Sequence, residues 1–157
     1  MAEKPHVDIL CVVDGESLLE HVESGTSFNS HDTTIGKYCR MITRYKDAQD
    51  HLQDSPDLVV TGRVGNIIRW RATSLTLDEE CDVEIKSFYG FSHGVCETPK
   101  SRPSKDGREL VWWTRIDKPS SDVESYWLNF TVTTYDEAGN QKQQAQYDWD
   151  PGIRVIP

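Results

Sequence analysis

The chain has 157 residues, with 26 Asp and Glu against 17 Lys and Arg for a formal net charge of −9. That balance argues against a nucleic-acid or anionic-membrane surface, both of which reward clustered cations, and it suits solubility or a cationic partner. The length fits one domain over residues 1–157, five Trp, six Tyr and four Phe can fill its core, and no apolar run approaches the roughly 20 residues that cross a bilayer.

The apolar stretch Ile9–Val13 is short and ends at Asp14, so it does not read as a secretory leader, and a cytoplasmic location is expected. Cys11, Cys39, Cys81 and Cys96 stand far apart and none lies in a CxxC pair. They read as buried free thiols, with no zinc site and no cofactor.

Taken in order, Val7–Asp14 is a β-branched run and predicts a buried strand. Asp14 then suits a helix N-cap: Glu16 falls in the first turn, and Leu18, Leu19 and Val22 follow at helical spacing. Residues 23–36 and 47–56 are polar and predict loops, and Tyr38–Arg44 between them alternates as a strand. A strand from Leu58 to Thr61 precedes a turn at Val64-Gly65-Asn66. Ile67–Ala72 then places Ile68, Trp70 and Ala72 on one face and Arg69 and Arg71 on the other. Val83–Tyr89 alternates again. Thr98–Arg108, with two prolines, a glycine and four cations, predicts a loop able to cover an edge. Leu110–Ile116 predicts a strand, and 117–125 a loop. Tyr126–Tyr135 has the strongest alternation in the chain. Asp136–Asn140 has hairpin-turn composition and returns the chain into Gln141–Trp149, and Ile153–Ile156 closes as a short strand. The sum is an all-β protein, an antiparallel β-sandwich of immunoglobulin-like or jelly-roll-like type, with one short helix after the first strand.

The chemistry is less legible. Asp148 and Asp150 flank Trp149, and residues i and i+2 of a strand share a face about 6.6 Å apart at ~3.3 Å per residue. Such a pair could serve a hydrolase, sit on a divalent cation together with Asp14 and Glu16, or close a turn at the Asp150-Pro151 step. The turn is the simplest account, and Trp149 then anchors the last hairpin from the opposite face. The five histidines are scattered and form no HxH or HExxH pattern, and no nucleophile motif or phosphate loop occurs. Trp112-Trp113 would face opposite ways on a strand, leaving one indole as a platform for a sugar, another small ligand or a subunit contact.

Four blocks, Asp8…Asp14-Gly-Glu-Ser-Leu-Leu19, Tyr38–Thr43, "VGNIIRWRATSL" from Val64 to Leu75, and Tyr147–Ile153, run through the chain in order. Together they resemble the PixA/AidA-type inclusion body proteins of Gram-negative bacteria, the third block most specifically. Gly65, Trp70, Trp149 and Pro151 are the structural residues of that pattern. The resemblance implies a cytoplasmic protein that accumulates in inclusions, sometimes under quorum-sensing or growth-phase control, with no catalytic motif. The chain departs from the pattern in having only Met1 and Met41, where some members are methionine-rich, and Asn66 where Asp is common. A non-enzymatic, self-associating protein is therefore expected, most simply a homodimer. A carbohydrate- or small-ligand-binding module built on Trp112 or Trp113, in a calcium-dependent variant or not, is the alternative.

Overall fold

The computed structural model describes residues 5–28, 35–48, 58–76, 80–91 and 93–156. The expectations for residues 29–34 and 49–57, and with them His31 and His51, lie outside those residues. Strand β1 (His6–Val13) forms because its alternation matches the pleat: Val7, Ile9, Cys11 and Val13 are buried, while Asp8, Leu10 and Val12 face the other way. Asp14 ends it and caps helix α1 (Gly15–His21), where Asp14 Oδ1 accepts from the Ser17 amide at 3.3 Å. Leu18 fixes the helix to the core.

The remaining strands are β2 (Ser27–Phe28), β3 (Cys39–Thr43), β4 (Val59–Arg63), β5 (Ile67–Ser74), β6 (Cys81–Tyr89), β7 (Lys100–Pro103), β8 (Leu110–Arg115), β9 (Glu124–Ser125), β10 (Trp127–Tyr135), β11 (Gln141–Trp149) and β12 (Gly152–Ile156). They form a five-stranded sheet in the order β3-β1-β5-β8-β7, a four-stranded sheet β2-β11-β10-β6 and a three-stranded sheet β4-β12-β9. The expected all-β, sandwich-like architecture is present, with its one short helix after the first strand. Its sheets are mixed rather than purely antiparallel, since β1 pairs with β5, β2 with β11 and β4 with β12 in parallel. Parallel neighbours require long crossovers, and no local pattern in the sequence marks them.

The larger layers meet through aromatic side chains. Trp70 of β5 lies 4.9 Å from Phe88 of β6 between ring centroids, and its Nε1 donates to the buried Tyr126 hydroxyl at 2.8 Å. Trp149 and Phe130 fill the other end of the interface. Trp70 and Trp149 are thus core anchors. Gly65 has φ +92° in the turn before β5, where the Asn66 side chain accepts from the Arg63 amide at 2.9 Å.

Three expectations are corrected. Thr98–Arg108 is not one loop: β7 pairs antiparallel with β8 inside it, and only the 104–109 turn joins them. An edge strand needs hydrogen-bond partners on one side only, so it tolerates Pro103 and exposed Lys and Arg, and its composition reads as a loop. The alternation of Val83–Tyr89 does not persist either. Asn129 pairs with Ser87 but Phe130 with Ile85, so Lys86 is the extra residue of a bulge and Phe88, not Ser87, turns into the core. Finally, β11 and β12 are not a hairpin. The chain turns a corner at Asp150-Pro151 and crosses into the three-stranded sheet, where β12 lies between β4 and β9. Among the described residues no helix is long and apolar enough to cross a membrane.

Candidate functional site

At one flank of the sandwich, β6, the edge of its sheet, meets the ends of β5 and of the β7–β8 hairpin. They enclose a cleft of about 580 Å³. Trp112 lines it. The register that pairs Trp112 with Trp70 turns this indole inward, where it is half-buried and packs 5.4 Å from the Phe88 ring. Its Nε1 is buried with no hydrogen-bond partner among the described residues. An unsatisfied buried donor costs about 1–3 kcal/mol, so an acceptor oxygen brought by a ligand would find a ready partner. Around the indole stand Thr73, Ser74, Asp82, Glu84, Arg108 and Glu109. Hydroxyls and carboxylates beside an aromatic surface suit a neutral, polyhydroxylated molecule, and the volume falls within the ordinary 300–1,000 Å³ of ligand sites.

Trp113 faces the opposite way, as alternation requires. It lies on the outer side of the five-stranded sheet, between Arg69 of β5 and Lys100 of β7 in the pairing register, and lines a shallow hollow of about 290 Å³. The two neighbouring indoles therefore serve different surfaces.

The four acids do not assemble. Asp14 caps α1, and Glu16 is exposed in its first turn. Both carboxylates act on the Cys81 thiol, which burial chiefly raises and a Ser74 hydrogen bond partly lowers. Asp148 instead accepts from Asn129 Nδ2 at 3.0 Å and from Ser27 Oγ at 3.3 Å, bracing β11 against its two neighbours. Asp148 and the half-buried Asp150 add to the burial that raises the Tyr89 phenol. Cys81 and Tyr89 begin and end β6, a separation of about 26 Å at ~3.3 Å per residue. Among the described residues no group of three or more His, Cys, Asp or Glu is placed to hold a metal ion.

All four thiols are buried and free. Burial pushes Cys11 and Cys96 up to about 12 and raises Cys39 and Cys81, which disfavours the thiolate a nucleophile needs. Sequence reasoning missed an aromatic pair at the surface: the exposed Tyr89 stacks on the half-buried Trp127 with centroids 5.9 Å apart and planes 5° from parallel. The pair arises because Tyr89 and Trp127 are cross-strand neighbours, a relation that only the register reveals.

Residues 5–138 match a family described as a domain of unknown function, DUF8788. No curated protein matches the chain. Among solved structures the chain is similar to the crystal structure of an inclusion body protein, PixA, from Burkholderia cenocepacia J2315. The two are 12% identical with a TM-score of 0.74, over 97% of this chain and 96% of that one. At that identity the likeness is one of fold.

Proposed function

The chain belongs to the DUF8788 family, and from that premise we propose that it is a non-enzymatic, self-associating cytoplasmic protein of the PixA/AidA inclusion-body type, with residues 1–157 acting as one unit. The observation that carries the reading is the end-to-end likeness of its fold to the inclusion body protein, which leaves almost no segment of either chain outside the match. Strands β3, β6 and β7 end their sheets among the described residues, and sheet edges offer backbone groups to a second copy. The simplest closed product is a symmetric homodimer. Light scattering across a concentration series of the purified protein is expected to show mass rising above the monomer value. A strictly monomeric species at every concentration sinks the reading.

The Trp112 cleft favours a second reading, a binding module for a sugar or similar polar ligand. Titration with a glycan panel should then change tryptophan emission, and a Trp112→Phe variant should lose the part of the response that depends on the indole N–H. A panel without any response counts against it.

A further inference from the structure

The outer face of the five-stranded sheet carries the opposite charge to the rest of the molecule. Alternation places Arg40 of β3, Arg69 and Arg71 of β5, Lys100 and Arg102 of β7 and Arg115 of β8 on that face, with Arg44 and Lys105 just beyond strand ends. Among its strand positions Asp8 is the one acid, and it pairs with Arg69. From flanking segments Asp47 pairs with Arg44, Glu109 with Arg71 at a long 3.4 Å, and Asp117 with Arg115. Arg40, Lys100, Arg102 and Lys105 have no carboxylate partner among the described residues. These eight cations come from a total of 17 and take four of the 26 acids as partners, so nine cations remain on the rest of the chain to face 22 acids.

This face is grooved. Register aligns Ile42, Leu10 and Arg71 across β3, β1 and β5, and Val111 with Arg102 across β8 and β7. The resulting hollow, about 560 Å³, has an apolar floor of Leu10, Ile42 and Val111 and a rim of Arg71, Arg102 and Lys105. On the other layer, the β10–β11 turn Asp136-Glu137-Ala138-Gly139-Asn140 is exposed along its whole length. Asp136 Oδ1 accepts from the amides of Ala138 and Asn140, which holds the tip in one shape before any encounter. Glu80 and Asp82 stand beside it and share a hollow with Asp136 and Glu137.

We infer that the cationic groove on the five-stranded sheet receives the acidic 136–140 hairpin tip of a second copy. The inference rests on the self-association reading above and names its surface. Groove and tip are different patches on different layers, so two such contacts close a two-fold dimer when each copy's tip enters the other's groove, and single contacts repeated from copy to copy extend into a ring or a filament. Because both patches are at the solvent edge, the attraction is screened by salt within a Debye length, ~30 Å at 0.01 M but ~3 Å at 1 M.

Sedimentation velocity on the full chain tests this, with circular dichroism confirming that each variant keeps its fold. Wild type is expected to form dimers or larger species at ~0.01 M salt and to dissociate towards ~1 M. Reversing the groove, Arg102→Glu with Lys105→Glu, or the tip, Glu137→Lys, should each weaken association by about tenfold or more. Combining all three substitutions should restore most of it, because the swapped charges attract again. Salt-insensitive assembly that none of the variants changes overturns the groove contact and leaves self-association to the sheet edges. A monomer under every condition overturns both. Capture of single-stranded DNA by the groove of a chain that does not self-assemble also overturns the contact.

Discussion

Replacing Trp70 with alanine is expected to remove about 3–5 kcal/mol from the stability of the fold, the usual cost of deleting a buried tryptophan. Trp70 is fully buried and makes ring contacts with Phe88 at 4.9 Å, Tyr126 at 5.6 Å and Phe91 at 6.5 Å, so one side chain joins both layers. Its removal also leaves the buried Tyr126 hydroxyl without the Nε1 donor at 2.8 Å. Since domains of this kind are stable by only about 5–15 kcal/mol, the loss is a large share of the total. Urea denaturation followed by far-ultraviolet circular dichroism measures it. Trp70→Phe keeps most of the apolar volume and should cost distinctly less. A loss below ~1 kcal/mol for the alanine variant would mean that the layers do not depend on this anchor.

Gly15→Ala should lower stability although alanine is the better helix former. Propensity alone predicts a gain of up to ~1 kcal/mol, and less at the first helical position. The structure predicts the opposite sign, because a Cβ at Gly15 would lie 2.6 Å from Val132 Cγ1 and 2.7 Å from Cys81 Sγ. Both neighbours belong to the buried core, so relief requires α1 to lift away from β10 and β6. Overpacking of this kind costs about 1–3 kcal/mol. For a chain of this length each kcal/mol moves the melting temperature by roughly 2–4 °C, so a fall of several degrees is expected in differential scanning calorimetry. An unchanged or higher melting temperature would place the helix further from the sheet than described.

The elements that could be read from sequence are those whose side chains alternate against a core. The strand from Val7 and the one closing at Tyr135 fall within one residue of expectation, and Asp14 caps the helix as its side chain suggested. Trp112 and Trp113 divide between inner and outer faces as period two demands. The outward set of Arg69 and Arg71 was also visible, and both find carboxylate partners, on β1 and on the 104–109 turn. What stayed hidden depends on which strand lies beside which. The β7 edge has no apolar face to betray it, and the Lys86 bulge reverses a phase that residues alone do not mark. The cleft at Trp112 needs β5, β6 and the β7–β8 hairpin to converge. The cationic face needs four strands, distant in sequence, to be aligned in register. The acidic set has the same cause: Asp14 and Glu16 could meet Asp148 and Asp150 only if the first and last strands were neighbours, and β1 and β12 lie in different sheets.

The corner at Asp150-Pro151 has a consequence for how the molecule reaches its shape. It delivers Gly152 to a place beside Val59, a pairing 93 positions apart along the polymer. Bringing such distant ends together loses chain entropy before any contact rewards it, so barrel-like and sandwich topologies of this kind mature in milliseconds to seconds rather than microseconds. Until that last ribbon arrives, Val60 and the far side of β4 are left bare, as a transient sticky species whose lifetime is set by the search.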